Sequence, residues 1–377
     1  MSCKDLPLKE FKPEIVKVLD RFRCFWDLEK TDRVLAYINV PLENSRHLIE
    51  SCQKKFGWET LDGWNQYLAF EGINGWKELV RIYEAIYRER ALLKDDLIPC
   101  IVPDFGPTIM AAFLGFSKMK TAKGTTWSIP LLDSWEKLDY VHFDPDNHWF
   151  RRCLDLMAFL SSRSGGRYLV THVDSHSVGD MMAALRGTTN LLLDFYKNPS
   201  EVRKLASICA KAFIEIMEIM AEKVTHVAGG THLSCPGIWA PGEISVGIQE
   251  DIAALLSPKL YREFLYPYDE LIAERMDSCA FHLHSAMHQI IPEILRLKNV
   301  GVLQIGWDKK YPKPLEIEAL RKVQGEKALV IECENLEEVR ESIMIFGKDG
   351  LLVTLNANSI EEGNALIKKI GKMCRDI

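Results

Sequence analysis

Two histidines one residue apart, His282 and His284, are the sharpest chemical feature of this 377-residue sequence. On a strand, residues i and i+2 share a face, so both imidazoles can reach a single ion there. A third ligand must then arrive from another loop, and Cys333, Glu332, Glu250, Asp251 and His288 are of the right type. The competing reading makes one imidazole a hydrogen-bonded rim group and the other a surface group. Asp174 and His176 repeat the spacing, and a carboxylate beside an imidazole either tunes a general base or caps a turn. Asp104 sits in Pro103–Asp104–Phe105–Gly106–Pro107, where it either contacts substrate or makes an Asx-type turn.

Sorted by chemistry, His282, Glu250, Asp251 and Asp104 are the candidate acid, base or electrophilic groups. His282, His284 and Cys333 form the candidate Zn2+ set. Phe105, Asp174, His176, Trp239, Gln304, Trp307 and Asn356 supply a polar and aromatic lining suited to a small organic substrate.

Groups so far apart in sequence meet only if a regular scaffold collects them. Residues 1–95 read as mainly helical, with apolar residues at three- and four-residue spacing over 13–27 and 76–94. Beyond them short apolar runs alternate with helical patterns, the signature of βα units. Strands are expected at 98–102, 168–172, 225–228, 279–283, 302–305, 328–331 and 351–355, with 34–39 as an eighth. Helices are expected at 200–223, 258–276, 287–297, 315–323, 336–346 and 360–373. Eight alternations point to an α/β fold of the (β/α)8 TIM-barrel type, in which an N-terminal helical extension (1–95) packs on a barrel (96–377) as one structural domain. Active-site groups of such barrels stand at the C-terminal strand ends, where these candidates are expected.

Composition narrows the function classes. With 47% apolar and 27% charged residues the chain is an ordinary folded protein. A net charge of −6 with scattered Lys and Arg argues against nucleic acid as a partner. The stretch 224–242 lacks Lys, Arg, Asp and Glu, but Gly229, Gly230, Pro236, Gly237 and Pro241 make it a buried strand and loop, so no membrane partner is expected. The start has no apolar secretory segment, which leads us to expect a cytoplasmic protein. Ten cysteines without a C-x-x-C pair read as reduced core residues. Neither G-x-G-x-x-G nor a P-loop is present, against a nucleotide cofactor held in the usual way.

Several segments resemble a known family. Leu256–Ser257–Pro258–Lys259–Leu260–Tyr261–Arg262–Glu263–Phe264–Leu265–Tyr266–Pro267–Tyr268 is similar to a block of the uroporphyrinogen decarboxylase superfamily, and Glu250–Asp251 stand at its acidic strand-end position. Leu185–Arg186–Gly187, followed by Leu192–Leu193–Asp194–Phe195–Tyr196–Lys197–Asn198–Pro199–Ser200–Glu201–Val202, resembles a second block. Phe281–His282–Leu283–His284–Ser285 falls where members carry H-x-C-G or H-L-D-G. The resemblance spans about residues 98 to 372.

Two departures place it within the superfamily. The Arg-rich loop that grips porphyrinogen carboxylates is missing, since only Asp32–Arg33–Val34–Leu35 occupies that region. His284 replaces the first cysteine of the thiol-activating zinc motif, and Thr354–Leu355–Asn356 stands where its later cysteine would fall. The chain therefore looks most like the cobalamin-dependent methyltransferase branch. That resemblance implies methyl transfer from an O- or N-methylated small molecule to a Co(I) corrinoid carried by a partner protein, with Zn2+ as a candidate cofactor and room for a homodimer. An ether or amine leaves only if its heteroatom is protonated or bound to a metal. Two alternatives stay open: a decarboxylase of a small or tetrapyrrole carboxylic acid, which needs Arg151, Arg152 or Arg186 at the pocket, and a non-catalytic ligand-binding barrel.

Overall fold

A computed structural model describes residues 6–115, 117–122, 125–323 and 325–376. The chain opens with α1 (Ile15–Trp26), β1 (Leu35–Asn39), α2 (Glu43–Phe56), α3 (Trp64–Phe70) and α4 (Ile73–Arg90). Next come β2 (Cys100–Ile101), α5 (Ile109–Ala112), β3 (Ser117–Ala122), β4 (Thr125–Pro130), α6 (His148–Ser164) and β5 (Leu169–Val170). Three helices, α7 (Val178–Arg186), α8 (Thr188–Lys197) and α9 (Pro199–Ala221), lead to a hairpin of β6 (Gly230–His232) and β7 (Trp239–Pro241), then to β8 (Ser245–Gln249). The remainder runs α10 (Pro258–Phe264), α11 (Tyr266–Arg275), β9 (Ser278–His284), α12 (Ile291–Ile294), β10 (Val300–Gly306), β11 (Ala328–Glu332), α13 (Leu336–Phe346), β12 (Leu351–Asn356) and α14 (Ile360–Asp376).

Six strands form one parallel sheet in the order β1-β12-β11-β10-β9-β8. Their sequences are almost unbroken apolar runs, Ala328–Glu332 and Leu351–Asn356 for example, because a parallel sheet covered by helices is buried on both faces. β2 and β5 pair separately. Single contacts link the pieces: the Asp96 amide donates to the Ala36 carbonyl at 2.9 Å, and the Ser177 amide donates to the Gln249 carbonyl at 2.9 Å. Two buried carboxylates reinforce the first junction. Asp96 accepts from the Ala36 amide at 2.8 Å and pairs with Arg33 and Arg21, while Asp95 pairs with Lys12 at 2.8 Å and with Arg90.

One apolar cluster joins Leu35 of β1, Leu169 of β5, Ala280, Val302, Ala328 and Leu352 to Leu233, Ile238 and Trp239 of the β6–β7 hairpin. The buried stripe of α1 (Ile15, Val18, Leu19, Phe22, Phe25) closes over it, so α1 and the hairpin together floor the N-terminal end of the sheet.

This arrangement redistributes the expected elements. Residues 6–95 are largely helical, and the strand expected at 34–39 within them joins the main sheet as β1. The apolar run at 225–228 forms no sheet strand; it holds only an isolated bridge from Val227 to Gly230, and the sheet strand lies at Ser245–Gln249. The run is uncharged because the floor buries it, a tertiary cause that a strand pattern does not distinguish. Gly247 marks how closely the two approach: a Cβ there would lie 1.9 Å from the Cys235 carbonyl oxygen. The expected helix 258–276 breaks into α10 and α11 at Leu265, ahead of Pro267. All described cysteines are free thiols, and among the described residues no helix is long and apolar enough to cross a membrane.

Candidate functional site

Register puts the two histidines at the C-terminal end of the sheet. His282 on β9 lies between Gln249 of β8 and Gln304 of β10, and His284 lies beside Gly306. The Gln304 side-chain oxygen bonds His282 Nδ1; an amide oxygen only accepts, so Nδ1 carries the hydrogen and Nε2 is a lone pair. The Asp308 carboxylate does the same for His284, with Nδ1 to Oδ1 at 3.2 Å. The two Nε2 atoms then face each other at 3.2 Å. Two imidazole lone pairs this close repel unless a cation lies between them. Asp251, at the start of the turn that follows β8, brings Oδ1 to 3.8 Å from His284 Nε2. One ligand atom from each of Asp251, His282 and His284 falls within 4.8 Å of the others, a donor set fit for zinc. Burial lowers the pKa of His282, which favours the neutral imidazole a metal requires.

A second constellation supports the first. His176 donates from Nδ1 to Asp180 at 2.7 Å and lies 3.4 Å from Asp174 through Nε2. Burial opposes its charge, but these two carboxylates outweigh burial and hold its pKa well above the ordinary histidine value. Burial pulls Asp174 the other way, yet His176 and Gln249 keep its pKa low, and Gln249 donates to it at 2.5 Å. Asp180 also accepts from the Asp251 and Ile252 amides at 2.9 and 2.8 Å, fixing the turn that presents Asp251. His176, Asp180 and Asp251 also lie close enough to share an ion, but the hydrogen bonds of His176 and Asp180 are already spent within the protein.

Glu250 is fully buried and turned the other way. Its Oε2 accepts from the Gly179 amide at 2.7 Å, and its carboxyl meets Asp269, which in turn accepts from the Tyr261 hydroxyl at 2.7 Å. Burial first, then the neighbouring Asp269 and Asp180, raises the Glu250 carboxyl, while burial and Asp180 raise Asp269 to about 7 against the hydrogen bonds from Tyr261 and Glu250 that lower it. Consecutive residues point to opposite sides, so Asp251 faces the histidines while Glu250 fastens α7 and α11 to the strand end. Tyr261 and Asp269 belong to the 256–268 block or its immediate edge, which makes that sequence signature a structural clasp.

Beside the histidines opens a cavity of about 370 Å3 whose walls include Asn39, Trp307, Lys313, Glu332, Thr354 and Asn356. The segment 306–308 separates the two, carrying Trp307 toward the cavity wall and Asp308 toward His284. Asn39 donates to Asn356 across the β1–β12 pair at 3.1 Å.

The remaining predicted site residues go elsewhere. Trp239 is buried in the floor, where its indole donates to the Val227 carbonyl at 3.1 Å, so it is no part of the rim. Phe105 is fully buried against Phe70 and Trp149. Asp104, a candidate catalytic group, makes the Asx-type turn instead, accepting from the Gly106 amide at 2.7 Å and from Asn65 at 2.8 Å; burial raises its pKa. Cys333 is buried with its thiol 3.6 Å from Ser342 on α13, pushed by burial up to about 11, and does not join the histidines. Asp251 lies beside the two imidazoles in the place expected for Cys333, because the turn after β8 reaches over β9 whereas Cys333 points back at its own following helix. Arg151 pairs with Asp146, Arg152 caps the Phe70 carbonyl, and Arg186 pairs with Asp194 at 2.7 Å, so none of the three arginines lines the cavity. Asp180 and Gln249 escaped the sequence reading. The four-residue spacing of His176 and Asp180 on a helix start was the one available signal for the former.

The structure is similar to that of a methyltransferase from Methanosarcina mazei, with a TM-score of 0.63 over 94% of this chain and 98% of that one, at 11% sequence identity. At that identity the likeness is one of fold. No protein-family profile matches the chain, and no curated protein matches it in sequence.

Proposed function

We propose that this protein is a metal-assisted methyltransferase, built on a closed (β/α)8 barrel of the uroporphyrinogen decarboxylase kind. It would move a methyl group from an O- or N-methylated small molecule to a Co(I) corrinoid on a partner protein. The observation that carries the reading is the convergence of two imidazole lone pairs at 3.2 Å with Asp251 beside them, both Nδ1 atoms being tied to acceptors. Asp251, His282 and His284 would hold Zn2+, and a zinc ion there supplies Lewis-acid polarisation of the heteroatom that the methyl group leaves. The fold likeness to an archaeal methyltransferase, the block matches and the strands whose side chains share one interior cluster support the same reading.

The chain's own residues do the positioning. Gln304 and Asp308 fix the tautomers, His176 holds Asp174 ionised, and Asp180 anchors the turn bearing Asp251. The rim cavity gives the substrate's remainder a place next to the donor set. A decarboxylase is disfavoured because, among the described residues, no arginine lines that cavity to receive a carboxylate.

The test is zinc content and methyl transfer together. Wild type should hold about one zinc per chain, His282→Ala should lose it and Cys333→Ser should keep it. The wild type should also methylate free Co(I) cobalamin from at least one member of a panel of methyl ethers and methylamines. Zinc bound equally by wild type and His282→Ala sinks the site; no cobalamin methylation across the panel sinks the activity.

A further inference from the structure

The cavity beside the histidines has a definite charge. Among the described residues that line it, the one cation, Lys313, is already spoken for: the ammonium pairs with Glu334 and lies 2.7 Å from Glu338 Oε1. It also stands 4.9 Å from the centre of the Trp307 ring. The wall therefore holds an ammonium of the protein's own between carboxylates and an indole face, by the interactions that recognise organic cations. A third carboxylate has no such match. Glu332 pairs through its backbone with Thr354, but its carboxylate has neither a hydrogen bond nor an ion pair among the described residues, and it stands at the exposed end of β11 lining the cavity. With three carboxylates against one ammonium, the cavity attracts a cation and repels a carboxylate.

Position ties the unmatched carboxylate to the metal-ligand set. Gly306 pairs with His284 in the β9–β10 ladder, and one step beyond the Ile305–Ile331 pair it comes level with Glu332. Glu332 and His284 thus stand at one height, two strand spacings or roughly 10 Å apart. Between them Gly306 offers no side chain, and even an added Cβ would find nothing nearer than 3.7 Å, the His284 ring. A ligand anchored at Glu332 can extend over Gly306 to the histidines.

We propose that this cavity is the substrate subsite and that it selects an organic cation, an alkylated ammonium whose counter-ion is Glu332 and whose apolar face meets Trp307. This deepens the methyltransferase reading and rests on it for treating the cavity as the substrate's. Among O- and N-methylated donors it favours those carrying a permanent positive charge, and Asn39, Thr354 and Asn356 supply polar contacts for the rest of the molecule.

Calorimetric titration of the zinc-loaded protein with choline and with dimethylbutanol, its neutral carbon isostere, tests the assignment. Choline should bind at least about tenfold more tightly, and Glu332→Gln should erase that preference while zinc content and melting temperature stay at wild-type values. Equal binding of the two probes, or a preference that survives in Glu332→Gln, overturns the cation subsite. If zinc is retained but choline is not preferred, the subsite falls and the metal reading stands. If choline is preferred by a protein that takes up no zinc, the metal reading falls and the subsite stands.

Discussion

Asp308 is where the metal reading can be put under the most direct strain. Its carboxylate orients His284 through a contact of 3.2 Å, and with the acceptor gone the imidazole is free to turn or to exchange tautomer. A buried hydrogen bond to a charged group is worth about 1.5–3 kcal/mol. Here the His284 and Asp308 side chains are 37% and 35% exposed, so water competes for both and the lower part of that range applies. Asp308→Ala should therefore weaken zinc binding by about 10- to 30-fold, or roughly 1.4–2 kcal/mol. Asp308→Asn, which keeps an acceptor oxygen, should recover part of the loss. Competition against a chromophoric zinc chelator at neutral pH measures both. The Ala286 amide also loses a 3.2 Å acceptor, so the melting temperature of the zinc-free protein serves as a control for local damage. Wild-type zinc affinity in Asp308→Ala would refute the reasoning, because it would mean that His284 Nε2 is not presented to the ion by Asp308.

Three further outcomes follow from the fold. Trp239→Ala should cost about 3–5 kcal/mol of unfolding free energy while leaving the zinc stoichiometry intact, since this side chain fills the floor and not the rim; loss of zinc with little loss of stability would place it wrongly. Gly247→Ala should destabilise by about 3 kcal/mol or more because its Cβ meets the Cys235 carbonyl at 1.9 Å, whereas Gly57→Ala, with open space and only a positive φ of 76° to bear, should cost about 1 kcal/mol; comparable urea midpoints for the two would contradict the close approach. His232 is fully buried, and burial lowers its pKa from 6.5 to about 4, so the folded state resists its protonation while the unfolded state does not. The stability it contributes is complete above pH 6.5 and is lost as pH falls toward 4, by about 3 kcal/mol in all; the urea midpoint of wild type should decline across that window more steeply than that of His232→Gln, and equal slopes would discard the assignment.

Much of this protein was legible in one dimension. Apolar runs such as 328–331 and 351–355 identify parallel strands because both faces of such a strand are buried, and the helix expected from residue 258 does begin there, capped by the Ser257 side chain. The strand position and two-residue spacing of His282 and His284 likewise sufficed to place both imidazoles together. What the sequence could not settle is which distant group joins them. Asp251 and Cys333 are equally good ligands on paper, and only the path of the turn after β8, anchored by Asp180, brings one in while α13 draws the other away. The uncharged 224–242 run shows the same limit: its composition reports burial, and burial beneath α1 looks no different from burial in a sheet. Local pattern encodes what a residue needs around it, but the neighbour that meets the need is chosen by chain segments tens or hundreds of residues away, and that choice exists only once the fold has closed.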